Sequence, residues 1–231
     1  MDIKGITKTD LLNYAPYTAA TVFVGGCNFL CPFCQNPELV LGYDKLKSIP
    51  EDEIFNFLSK RKKWLEGVCI TGGEPTLNSD LPEFTTKLKK MDYLVKLDTN
   101  GSNPRQIKGL IDNKLVDYIA MDIKAPIGKY DRITQVETNK EDIQRSIDII
   151  RNSSIMYEFR ITVVPKLIGA EDITEIGMWL KGANRFVLQQ FRNKQTLNPS
   201  FTKLKPFSKE ELSGFRNILE PYFTEVELNL N

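Results

Sequence analysis

The chain has 231 residues, enough for one large domain or two small ones. Its 31 Lys and Arg against 30 Asp and Glu leave a net charge of +1, which argues against a main role in neutralising nucleic acid. With 41% hydrophobic and 26% charged residues, wholesale disorder is excluded. No apolar run of about 18 residues is present, and Met1-Asp2-Ile3-Lys4 opens without a secretory core, so a cytoplasmic protein with no membrane span is expected. The count of zero histidines removes Ser-His-Asp and Cys-His catalysis and every His-ligated metal site.

Residues 1–18 read as an N-terminal extension packed on the rest of the domain. Short apolar runs then alternate with amphipathic stretches. Ala19–Val24 ends at Gly25-Gly26, and Gly67–Thr71 ends at Gly72-Gly73. Tyr93–Asp98 precedes Asn100-Gly101, and Val116–Met121 ends at Asp122. Met156–Val164 ends at Pro165, Arg185–Leu188 follows Gly182, and Val226–Leu230 is a last strand. Such β-branched runs bounded by turn residues predict buried parallel strands. Between them, apolar stripes such as Leu81, Phe84 and Leu88, or Ile143, Ile147 and Ile150, predict helices. Ser48-x-x-Glu51, Thr138-x-x-Glu141 and Ser208-x-x-Glu211 read as capping boxes. Trp64 and Trp179 are expected in helix–sheet packing. The pattern predicts an α/β fold, a partial (β/α)6 barrel of parallel strands open on one side, with residues 1–231 as a single domain.

In such folds chemistry sits at the C-terminal strand ends, and the chemically distinctive residues cluster there. After the first run comes Gly26-Cys27-Asn28-Phe29-Leu30-Cys31-Pro32-Phe33-Cys34-Gln35-Asn36, with C-x3-C-x2-C spacing. Three soft thiolates suit an iron–sulfur cluster, zinc or Cu(I), but structural zinc wants four protein ligands. Cys69, inside an apolar strand, reads as a small buried hydrophobe. A cluster held by Cys27, Cys31 and Cys34 leaves one iron open to a non-protein ligand. Gly72-Gly73-Glu74-Pro75 offers close backbone approach, with carbonyls and a carboxylate for an ammonium group. Asp98-Thr99-Asn100-Gly101 is either a plain turn or, by its place after a strand, sets Asp98 against ribose hydroxyls or a bound cation. Lys96, taken to point away from Asp98's neighbours, receives no role. Asp122 and Lys124, two apart, can grip a zwitterion, the first by its amino group and the second by its carboxylate, or simply pair with each other as a salt bridge. Arg160 inside a strand can take a carboxylate bidentately or pair with Glu158 or another carboxylate.

These motifs, in this order, resemble the radical S-adenosylmethionine (SAM) superfamily, whose hallmark is C-x3-C-x-φ-C with an aromatic φ, here Phe33. The resemblance covers essentially the whole chain. It implies a 4Fe-4S cluster whose open iron is chelated by SAM, reductive cleavage of SAM, and hydrogen abstraction by the resulting 5′-deoxyadenosyl radical. Phe33, Gln35, Gly72, Gly73, Glu74, Asp98, Asn100, Asp122, Lys124, Arg160 and Gln190 are then the expected cofactor-binding residues. Gly25–Phe29, Cys34–Leu39, Asp122–Pro126 and Val187–Phe191 resemble the glycyl-radical-enzyme activases, in particular those of anaerobic ribonucleoside-triphosphate reductase. Such activases often carry a histidine near the sixth strand's end, for which Gln190 or Arg192 is the expected substitute. The implied partners are that glycyl radical enzyme and reduced flavodoxin or ferredoxin as electron donor, with no nucleic acid and no membrane. A small-molecule enzyme of the 7-carboxy-7-deazaguanine synthase type, or a non-catalytic metal protein, are the alternatives.

Overall fold

The computed structural model describes residues 1–230. Eight strands form a sheet in chain order, open, with β1 (Ile3–Asp10) and β8 (Glu225–Asn229) at its edges. β1 runs antiparallel to β2 (Ala19–Val24), with Thr7 opposite Thr21. β3 (Gly67–Gly72) and β4 (Leu94–Thr99) continue parallel to β2, aligning Thr21, Cys69 and Lys96. β5 (Tyr118–Asp122) comes next, and β6 (Met156–Val163), β7 (Arg185–Gln190) and β8 are mutually parallel. Among the described residues no helix is long and apolar enough to cross a membrane.

The helices alternate with the strands. α1 (Pro37–Val40) and α2 (Glu51–Arg61) follow β2, α3 (Leu81–Lys90) follows β3 and α4 (Pro104–Asp112) follows β4. α5 (Tyr130–Thr134) and α6 (Lys140–Arg151) follow β5, α7 (Ala170–Trp179) follows β6 and α8 (Lys209–Leu219) follows β7. The expected six β–α units and closing strand are all present. By internal packing the chain divides into two compact units. The first comprises Met1–Asn28, Glu38–Ala120 and Asp142–Met156, and the second Phe29–Pro37, Met121–Glu141 and the chain from Tyr157 onward.

In the first unit, β2, β3 and β4 are almost wholly buried, as parallel strands covered on both faces must be. The fully buried Ile54 and Leu58 of α2, Phe84 and Leu88 of α3, Leu110 of α4 and Ile147 of α6 supply its apolar core, each worth roughly 1.5–3 kcal/mol. In the second unit, strand pairing sorts the side chains into two faces. Phe159 pairs with Phe186 and Phe186 with Val226, an apolar face on which Phe186 also stacks on Phe223 at 4.8 Å. On the other face Arg160, Val187 and Glu227 align.

Four local expectations change. The N-terminal extension contains β1, whose burial fades from Ile3 to the exposed Thr7–Thr9, a polar edge strand that pairs through its backbone rather than an apolar run. Ser48 does not cap α2, which starts after Pro50; its hydroxyl donates to Asp2 at 2.8 Å, and Glu51 is drawn to Lys87 at 3.2 Å. At α6, Asn139 rather than Thr138 accepts the Glu141 N–H, while Thr138 shares a hydroxyl hydrogen bond with Thr134. Trp64 is 63% exposed, with the Arg61 guanidinium over its ring, instead of packing inside.

The Ser208–Glu211 capping box does form, with bonds of 3.2 and 2.7 Å. Ser208→Ala is therefore expected to cost about 1 kcal/mol in urea denaturation, and Ser48→Ala within about 0.5 kcal/mol of zero. Equal losses from the two would contradict this assignment of caps.

Candidate active site

The cysteine loop leaves β2 at Gly25-Gly26, and in the first unit its start is locked to the end of β3. Glu74 N–H donates to Gly26 O at 2.8 Å, and Gly73 N–H to Val24 O at 2.9 Å. A Cβ at Gly73 would stand 1.9 Å from Gly26 O, and one at Gly72, where φ is +122°, 2.4 Å from the Val24 backbone. Both positions exclude side chains, so the glycine pair brings two backbones together beside Cys27.

Glu74 is the hub of this corner. It is 1% exposed and accepts from Thr76 N–H at 3.1 Å, Thr76 Oγ1 at 2.5 Å, Thr99 Oγ1 at 2.7 Å and Asn100 N–H at 2.6 Å. Burial pushes its pKa up against the pull of those four bonds. Expected as a ligand contact, the carboxylate instead ties the end of β3 to the end of β4. Asn100 Nδ2 lies 4.0 Å from Cys27 Sγ and 2.9 Å from Asn28 Oδ1, and Asn28 donates to Ser102. An amide donor on a cluster thiolate favours the charged sulfur and tunes its potential. Asp98, 6% exposed, forms a 3.6 Å ion pair with Lys96, whose ammonium also reaches Asn13 O. The expectation for Lys96 is thus corrected: residues two apart on a strand share a face, and Lys96 is the counter-charge of Asp98. Cys69 is fully buried, as expected.

The second half of the loop belongs to the second unit. Cys34 N–H donates to Cys31 O at 3.0 Å, closing the turn around Phe33. Leu30 N–H bonds Thr134 O, while Leu197 and Asn198 N–H bond Cys34 O and Pro32 O. Gln35 Nε2 donates to Arg192 O at 3.2 Å. Cys31 and Phe33 are buried and Cys34 half-buried. Among the described residues no three thiol or carboxylate side chains stand together as a metal cage. The donor set still fits an iron–sulfur cluster in its chemistry: three soft sulfurs on a backbone-pinned loop, no histidine, and an amide donor on Cys27.

In the same unit Asp122 is gripped by two cations. Arg160 Nε lies 2.5 Å from Oδ1 and Lys124 Nζ 2.8 Å from Oδ2, and Glu158 stands 3.9 Å from Arg160. Tyr130 Oη accepts the Lys124 backbone N–H at 3.2 Å. Burial opposes the Asp122 charge, but Arg160 and then Lys124 outweigh it and hold the carboxyl well below the usual range. Lys124 and Arg160 thus pair with Asp122 itself, the ion-pair alternative to direct ligand contacts. Gln190 is not with it. It follows Phe186 and Leu188 on the apolar face and donates to Phe207 O at 2.6 Å, while the Arg192 side chain is exposed. By strand register it is Gln189, paired with Thr162, that lies on the face of Arg160.

Gly73→Ala is expected to cost about 1–3 kcal/mol or more and to lower iron content several-fold after anaerobic reconstitution; wild-type iron content and melting temperature would contradict the close approach. A lowered folded pKa gives Asp122 stability that is full well above its ordinary value of 3.8 and lost as pH falls through the folded value. The stability gap between wild type and Asp122→Asn should therefore be widest near neutral pH and narrow in acid; a gap that widens in acid would contradict the pairing.

The profile of the Radical SAM superfamily matches residues 21–180. A Methanocaldococcus jannaschii protein named "Putative glycyl-radical enzyme activating enzyme" is 32% identical over 229 residues, 97% of this chain and 94% of its own. A 7-carboxy-7-deazaguanine synthase of Archaeoglobus fulgidus is 27% identical over 173 residues, 71% of each chain. Among solved structures, SuiB of Streptococcus suis bound to precursor peptide SuiA shares the fold, with a TM-score of 0.64 and 16% identity over 87% of this chain and 46% of SuiB. The cysteine loop, the glycine pair and the strand-end residues as far as Arg160 lie within the matched region, and the chain belongs to the radical SAM superfamily of enzymes.

Proposed function

We propose that this chain activates a glycyl radical enzyme, acting as a single radical SAM domain that removes a hydrogen atom from a glycine α-carbon of a protein partner. The observation that carries this reading is end-to-end similarity to a relative named as an activating enzyme, in a chain with Asp122-x-Lys124 joined to Arg160. SuiB, of the same fold, is a protein that binds a peptide, which fits a protein substrate. The partner proposed is anaerobic ribonucleoside-triphosphate reductase, with reduced flavodoxin or ferredoxin as donor.

Cys27, Cys31 and Cys34 would hold a 4Fe-4S cluster, which with SAM supplies one-electron chemistry for hydrogen removal. The chain's own residues bind and orient. The Asp122 carboxylate with the Lys124 and Arg160 cations is a preassembled receptor for a zwitterion: an incoming ammonium takes the place of the cations as partner of Asp122, and an incoming carboxylate takes the cations. Charge stays balanced throughout, so no ion is left buried and alone. In the first unit, the Gly72-Gly73 carbonyls and the Asp98 carboxylate are likewise proposed as cofactor contacts. Asn100 orients Cys27. No side chain has to accept or donate a proton in hydrogen-atom removal, which is compatible with a chain that has no histidine.

A small-molecule reaction is the second reading, favoured by the similarity to 7-carboxy-7-deazaguanine synthase. Electron paramagnetic resonance decides between them. Reconstituted protein, SAM, dithionite and the reductase, mixed without oxygen, should give a glycyl doublet on the reductase, absent with Cys27→Ala, Cys31→Ala or Cys34→Ala. No doublet, together with formation of 7-carboxy-7-deazaguanine from its precursor, would overturn the activase reading.

A further inference from the structure

We infer that Thr162, Gln189 and Asn229 form a neutral ledge that holds the main chain of the substrate segment around the reacting glycine. The inference rests on the activase reading and adds to it a substrate subsite. In the strand register Thr162 pairs with Gln189 and Gln189 with Asn229, so the three side chains project side by side from one face of β6, β7 and β8. It is the face of Arg160, one pair of residues further toward the C-terminal strand ends, where ligands bind in α/β sheets. On the same face, nearer the strands' beginnings, Arg185 is engaged by Glu158, Glu225 and Glu227. Polarity along this face therefore runs from a closed ion network, through the Asp122–Arg160–Lys124 group, to an uncharged rim.

All three rim residues are half-buried. Neither Thr162 nor Gln189 makes a side-chain hydrogen bond among the described residues, whereas the adjacent Gln190 is tied to Phe207 O. A hydroxyl and a carboxamide both donate and accept, and a row of them matches the alternating N–H and C=O groups of an extended peptide. Glycine offers no side chain to recognise, so a segment presenting it has to be held by its backbone or its flanks. Charged groups at this rim would compete with the zwitterion receptor beside it; neutral amides do not.

The test uses a fluorescein-labelled peptide spanning the radical-bearing glycine of the reductase, and copies N-methylated at each residue flanking that glycine. Binding is measured by anisotropy to SAM-loaded, reconstituted protein. Wild type should bind a methylated copy about fivefold more weakly than the parent, the loss of one backbone hydrogen bond. Thr162→Val and Gln189→Leu should each bind the parent about fivefold more weakly and no longer distinguish the methylated copy, with SAM affinity unchanged. Thr162→Val is close to isosteric, so a folding defect in Gln189→Leu leaves the test intact. Variants that bind and discriminate like wild type, or that lose SAM affinity while keeping peptide affinity, overturn the ledge alone. A wild-type protein that binds none of the peptides overturns the ledge and the activase reading together.

Discussion

Two backbones meet where no side chain fits. The end of β3 comes so close to the start of the cysteine loop that a single methyl group at Gly73 would overlap the Gly26 carbonyl. That contact, with the hydrogen bond from Glu74 to the same carbonyl, sets where Cys27 emerges from β2. Electrostatics then finishes what sterics begins. A buried carboxylate normally needs a cation, yet Glu74 is satisfied by four uncharged donors from the end of β4 and its own loop. The corner beside Cys27 is rigid without placing a competing positive charge next to a thiolate, and the contact it offers the sulfur is a neutral amide.

Asp122 follows the opposite design. Its two partners are full cations, an arrangement on which the proposed exchange with a zwitterion depends. Glu74 is held by neutral donors and Asp122 by cations, although sequence alone presents both as acids at strand ends. A histidine-free chain can work this way because the reaction proposed needs held charges and held backbones rather than a proton shuttle.

Much of this is legible in the sequence. The six β–α units follow from apolar runs and stripes, and the position of Cys27, Glu74, Asp98, Asp122 and Gln190 each at or just past the end of its own strand follows from the fold class. What stays hidden depends on partners distant in sequence. β1 is a polar edge strand recognisable only by what it pairs with. Ser48-x-x-Glu51 has the letters of a capping box, but the Met1 ammonium and Lys87, 50 and 36 residues away from Glu51, hold the carboxylate. Whether Glu74 faces a ligand or its own protein turns on Thr99 and Asn100, which no local pattern links to it. Lys96 is different, because local alternation alone puts it beside Asp98; Gln190 needs the register of β7 on β6 to fall behind Arg160's face.

The central claim is that three thiolates carry a cluster whose remaining iron is open to SAM. Mössbauer spectroscopy on anaerobic protein reconstituted with the iron-57 isotope tests it most directly. Without SAM the spectrum should be that of a 4Fe-4S cluster, and adding SAM should shift the isomer shift of one iron in four while the other three hold theirs. A spectrum indifferent to SAM, or protein that takes up zinc in place of iron at these cysteines, would contradict the account.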